Sequence, residues 1–193
     1  MFFQKHDDDE YGYKMWLSED EVTQLLDAAH SSKCRLAFQL GVRCGLRSDE
    51  IVRIAPKAVK QTEAGWMLRV DSAKTDGVRQ TPAPEVVAGM IQAYGESGGA
   101  TDPVIDVTTR TIRNWVKRAG ETLANETGDE MWAHLSPHDL RRTWATALKA
   151  EDVESLIVCD WGGWSNLETF LEHYRGAFSP DAQRQQREKV AWL

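Results

Sequence analysis

Hydrophobic residues recur at three- and four-residue intervals along much of the chain, and the intervals stop at recognisable breaks. Val22, Leu25, Leu26 and Ala29 form one such face. Ser18 and Glu21 stand before it at the spacing of a capping box, with Leu17 as staple, so a helix is expected over 18–30. A second helix runs from about Lys33 to Cys44 and stops at Gly45, where a missing Cβ permits a left-handed turn. A third, short one starts near Arg47, carries Ser48, Asp49 and Glu50 in its first turn, and ends before Pro56.

The pattern then changes. Valine, threonine and tryptophan lie between turn signals at Ala64-Gly65 and Asp76-Gly77, which predicts two or three short antiparallel strands with Lys74 near the second turn. Helical spacing resumes after Pro84. It returns over 108–125, where Ile112, Trp115, Val116 and Ala119 share a face. A further helix opens at Ser136, with Pro137 in the first helical position. Shorter helices follow over 155–164 and 166–178, and an amphipathic tail helix over 179–193. The expected fold class is mainly α with α+β character: a helical domain with one small antiparallel sheet. Residues 1–16 read as an acidic lead-in, 17–178 as the domain and 179–193 as the tail. The apolar end of that tail, Val190 to Leu193, either packs on its own core or docks on a neighbouring subunit.

Composition narrows the function. The chain has 193 residues, enough for one domain, and 41% hydrophobic residues, enough for a sizeable core. No apolar run is long enough to cross a bilayer, and the N-terminus lacks a basic-then-apolar signal layout, so a soluble cytoplasmic protein is expected. Cys34, Cys44 and Cys159 are too scattered for a zinc site or a disulfide framework; buried thiols, with no metal and no cofactor, are expected. A net charge of −7 argues against nucleic acid as a partner. Its distribution argues back. Acids crowd into 7–10, 18–21 and 121–130, while bases crowd around Arg43, Arg47 and Arg53, around Arg110, Arg113 and Arg118, and at Arg141 and Arg142. An acidic protein can still present one basic face.

Three stretches carry chemistry. "CGLRSDEI" (44–51) sets Arg47 just after a helix-ending glycine; "HDLRR" (138–142) sets His138 and Arg141 three apart on one helical face; "GGWSNLETFLEHY" (162–174) sets Trp164 and Tyr174 on a glycine-led helix. Each also has an ordinary reading. Arg47 would brace the acidic turn after it, His138 and Arg141 would be a mixed-charge surface, and Tyr174 would be half-buried with its hydroxyl at the surface.

Taken in order, with the hairpin Lys74 between the first and second, the stretches resemble the catalytic domain of the tyrosine recombinases, the phage-integrase family. The resemblance spans roughly Leu17 to Phe178. It implies a site-specific DNA recombinase that cleaves and rejoins double-stranded DNA through a 3′-phosphotyrosyl link, without metal or ATP. Arg47 and Arg141 would clamp the phosphate, Tyr174 would attack, His138 would carry its proton, Lys74 would protonate the leaving 5′-oxygen, and Trp164 would donate its indole N–H. Glu50 would support Arg47 or the His-Arg helix. Arg142, Arg43, Arg79 and Arg113 are candidates for contact with the DNA backbone, with Asp139 and Arg142 on the outward face of their helix. The family further implies a homo-oligomer, tetrameric on DNA and monomeric or dimeric when free. Ten positions separate Trp164 from Tyr174, one more than is common in the family. The usual N-terminal DNA-clamping domain is not represented before Leu17, which suits an excised catalytic domain, a minimal enzyme or one that borrows its grip from a partner. Three other readings stay open: a non-catalytic DNA-binding regulator, a topoisomerase of related chemistry, and a helical interaction domain unrelated to DNA.

Overall fold

A computed structural model describes residues 1–5, 12–71, 77–174, 184 and 186–192. Two antiparallel sheets and eight α-helices are described. Strands β1 (Phe2–Lys5) and β2 (Tyr13–Trp16) come first, then helices α1 (Glu19–Asp27), α2 (Ser32–Cys44) and α3 (Ser48–Ile51). The second sheet, β3 (Val59–Thr62), β4 (Gly65–Asp71) and β5 (Val78–Pro82), follows in simple meander order. Helices α4 (Glu85–Ser97), α5 (Thr109–Thr127), α6 (Pro137–Ala150), α7 (Ser155–Gly162) and α8 (Leu167–Tyr174) complete the chain as described, with a 3₁₀ turn at Glu130–His134 before α6.

Local chemistry accounts for the ends of the elements. Ser18 and Glu21 close a reciprocal capping box on α1, with bonds of 2.8 and 3.3 Å. Gly45 takes φ +69° at the end of α2, and any Cβ there would enter the Trp144 ring. Ser136 caps α6 through Asp139: its N–H and its hydroxyl both donate to Asp139 Oδ2, at 2.9 and 2.5 Å.

Helix α2 is buried on nearly all sides and divides the interior. Leu36, Ala37 and Leu40 meet Leu68 and Val70 of the sheet and Val87 and Ile91 of α4. Phe38 and Val42 face Leu25, Val116, Leu123 and Leu140. A smaller cluster of Trp144, Val158 and Phe170 seats α7 and α8 against α6. Burying a large side chain of this kind stabilises by about 1.5–3 kcal/mol before chain entropy is charged. The cysteines are buried thiols, and desolvation pushes Cys44 up to about 12 and Cys34 up to about 11.

Residues 1–5 and 12–16 fall in the expected acidic lead-in. They form the β1–β2 hairpin, in register from Phe2 opposite Trp16 to Lys5 opposite Tyr13. The hairpin is pinned to α6: Met15 N–H donates to Asp139 Oδ1 at 3.0 Å and Leu17 N–H to Thr143 Oγ1 at 3.1 Å. An acidic run interrupts the two strands, and their anchor on α6 is distant in sequence, which hides them from a local reading. The expected tail helix over 179–193 lies partly outside the described residues; within its described part, Lys189 pairs with Asp152 at 3.5 Å and Trp192 is exposed.

Candidate active site

The end of α2 delivers Arg47 to the surface. Leu46 is buried, so the chain is anchored immediately before Arg47 leaves the core as the N-cap residue of α3. Its side chain is 37% exposed. Glu50, one turn on, folds back: it accepts from Arg47 N–H at 2.7 Å and from Arg47 Nη1 at 3.1 Å.

Glu50 is itself out of solvent, 2% exposed, and its main partner comes from the sheet. Arg79 on β5 meets it fork to fork, Nη1 to Oε1 at 2.5 Å and Nη2 to Oε2 at 2.9 Å. Burial alone would raise the Glu50 carboxyl. The Arg79 hydrogen bonds and charge, helped by the Arg47 N–H and the field of Arg141, reverse that and hold it below the ordinary carboxylate value. The third Arg79 donor, Nε–H, reaches Trp161 O at 2.8 Å at the end of α7.

Arg141 is held from the opposite side. It is 2% exposed, with Nη1 donating to Gly45 O and Nη2 to Gly162 O, both at 2.5 Å. Main-chain carbonyls orient a guanidinium without cancelling its charge. The Trp164 ring covers it, 4.1 Å from Arg141 Cζ to the ring centroid. Trp164 in turn stacks on Trp144 and meets Phe170 edge-on. Gly163 makes the sharp turn before Trp164 at φ +66°. His138 is exposed on the first turn of α6, three residues before Arg141.

Arg47, Glu50, Arg141 and Trp164 therefore belong to one connected cluster, built from α3, α6 and the turn after α7. Tyr174 is the last residue of α8; its side chain, and all of Lys74, lie outside the described residues. Among the described residues no group of three His, Cys, Asp or Glu side chains could hold a metal ion.

Two of the four candidates for DNA contact, Arg79 and Arg142, are turned inward. Arg79 is spent on Glu50 and Trp161, with its side chain only 9% exposed. Arg142 is likewise buried, its Nη1 on Asp139 Oδ1 at 2.5 Å, and Asp139 is wholly buried rather than on an outward face. Desolvation alone would keep both charges out of the interior; each is buried because a carboxylate partner offsets that cost. Arg43 pairs with Glu19 at the surface, and Arg113 is exposed on α5. The site residue that the sequence underrated is Arg79. It is the second residue of β5, a strand whose outward positions alternate with the buried Thr81, and that alternation is the available signal.

Comparison with known proteins decides the family. The model of the phage integrase family matches residues 15–179. The chain belongs to the phage integrase family. Among curated phage integrase relatives, the tyrosine recombinase XerA of Pyrococcus horikoshii is 25% identical over 156 residues, covering 79% of this chain and 54% of XerA. XerA of Thermococcus kodakarensis is 28% identical over 172 residues, covering 83% and 60%. The chain thus spans little more than half the length of these relatives. Among solved structures, a XerA recombinase superposes with a TM-score of 0.70 at 22% identity, over 91% of this chain and 64% of that one. The catalytic domain of bacteriophage HP1 integrase superposes at 0.63 with 17% identity, over 92% of this chain and 95% of that one. The fold is that of a phage integrase catalytic domain, and the small sheet and helical body match the expected class. No described helix is long and apolar enough to cross a membrane.

Proposed function

We propose that this chain carries the catalytic part of a site-specific DNA recombinase, which cuts and rejoins double-stranded DNA through a covalent 3′-phosphotyrosyl intermediate. The observation that carries the reading is the clustering of Arg47, Arg141 and Trp164, three phosphate-directed groups from three separate elements, joined through Glu50 and the carbonyls of Gly45 and Gly162. A phosphodiester under attack gathers negative charge on its non-bridging oxygens, and fixed guanidiniums meet that charge without reorganising. The related structures support a DNA substrate: one is a XerH recombinase bound to palindromic difH substrate in a post-cleavage complex, with a TM-score of 0.64.

In this reading Tyr174, the last residue of α8, attacks through its phenolic oxygen. The phosphodiester P–O5′ bond breaks as the tyrosyl–phosphate bond forms, and the 5′-oxygen leaves with a proton. His138 takes the phenolic proton, and Lys74 supplies the one that departs. Because the phosphotyrosyl link retains the bond energy, a new 5′-hydroxyl reverses the step with no ATP and no metal. Arg43 and Arg113 are the remaining candidates for backbone contact, and a homo-oligomer assembled on DNA is the expected working form.

Covalent trapping tests this. The protein is incubated with nicked duplex fragments from the DNA flanking its own gene, then denatured and separated. A protein–DNA adduct in the wild type that disappears in Tyr174→Phe supports both the chemistry and the nucleophile. An adduct that survives in Tyr174→Phe assigns the attack to another residue. DNA binding with no adduct favours the regulator reading.

A further inference from the structure

Glu50 is an acidic group set directly behind Arg47, the cation most open to a phosphate in this site. Left to itself, a buried carboxylate would seize the nearest guanidinium and neutralise it. The geometry shows why that does not happen. Arg79 occupies both Glu50 oxygens in a bidentate fork, 2.5 and 2.9 Å, while Arg47 offers only Nη1, at 3.1 Å. Nε and Nη2 of Arg47 have no partner among the described residues. One buried negative charge thus faces two arginines, and the inner one takes most of it.

We propose that Arg79 is a positioning residue: it satisfies Glu50 so that Glu50 orients Arg47 without capturing it, leaving the Arg47 guanidinium directed at a phosphate. The same residue ties two parts of the site together. Its Nε–H holds the Trp161 carbonyl, one residue before Gly162, whose own carbonyl holds Arg141. Arg79 also packs against Gly163, where an added Cβ would meet its Cδ at 2.8 Å. One side chain on β5 therefore sets Arg47 through Glu50 and the Trp164 turn through Trp161. The role rests on the recombinase reading only in naming the phosphate as that of DNA; the claim about Arg47 holds for any phosphate anion.

The test uses the full chain with inorganic phosphate as probe, by calorimetry or by the Arg47 Nε–H resonance, and separately the trapping assay described above. Arg79→Met should weaken phosphate binding by about tenfold, in the range seen for coupled neighbouring charges. The double variant Arg79→Met with Glu50→Gln should recover most of that loss, because a neutral amide keeps the Arg47 N–H bond and no longer draws in the guanidinium. Thermal unfolding shows whether each variant is folded. The ratio of Arg79→Met to wild-type binding should also climb toward acid pH, as the deserted Glu50 carboxyl takes up a proton. A purely structural brace predicts the opposite: the double variant no better than the single, and a ratio independent of pH. Either result overturns the proposal, as does phosphate binding equal in wild type and Arg79→Met, or no phosphate binding by the wild type. If the wild type binds phosphate with this pattern yet forms no adduct with DNA, the recombinase reading fails and the role of Arg79 stands.

Discussion

Two buried carboxylate–arginine pairs among the described residues share the same chemistry and differ in what surrounds them. Asp139 bonds Arg142, and its remaining lone pairs go to the Met15 N–H, the Ser136 N–H and the Ser136 hydroxyl. Every one of those partners is structural: a strand, a helix cap, a neighbouring turn. Glu50 bonds Arg79, and its remaining capacity goes to Arg47, which is partly open to solvent. One carboxylate closes a network inside the protein. The other ends a network at the surface, with positive charge in excess. A buried ion pair is weak evidence for stability on its own, since desolvation consumes much of the attraction. What it specifies depends on where its last hydrogen bond points.

The contrast can be broken from either side. The largest effect on stability is expected at Asp139. Asp139→Ala strands the buried Arg142 charge and removes one of the bonds that pin the β1–β2 hairpin, and should cost about 3–5 kcal/mol in urea unfolding; a loss under 1 kcal/mol would mean that Arg142 escapes to solvent. Next comes acid sensitivity. The folded-state Glu50 carboxyl lies below its ordinary value of 4.5, so its stabilisation is complete above that pH and is lost as pH falls further. The stability advantage of wild type over Glu50→Gln should therefore shrink through the acid range, measured as urea midpoints from neutral pH downward; a constant difference would show that the ion pair does not set it. The smallest effect belongs to an exposed pair. Lys117 and Glu121 sit 3.6 Å apart on the exposed face of α5, and Lys117→Ala should change stability by about 0.5 kcal/mol or less.

This difference also explains what the sequence could reveal. Helix α2 and its stop at Gly45, the capping box of α1 and the Ser136-Pro137 opening of α6 are local devices, and each is readable from a few neighbouring residues. Arg47, Arg141 and Trp164 were legible because their order along the chain matches a family pattern. Asp139 and Arg142 were misread as surface charges because charged residues are usually exposed, and the partner that draws Asp139 inside, Met15, is 124 positions away. The same distance hid the N-terminal hairpin. Arg79 reads from sequence as a solvated surface arginine or a candidate for DNA contact, because its carboxylate, Glu50, is 29 positions off and on another element. Nothing local distinguishes an arginine that faces outward from one that serves a neighbour.

The hold on Arg141 has a consequence for how such a protein can drift over evolutionary time. Its guanidinium is anchored on the main-chain carbonyls of Gly45 and Gly162, and no substitution can delete a carbonyl. The address of the charge is written in the path of the chain. The positions least free are the two glycines themselves, because any larger residue would drive a Cβ into the ring of Trp144 or Trp164. Inheritance at this site is carried less by what the residues offer than by the room they leave.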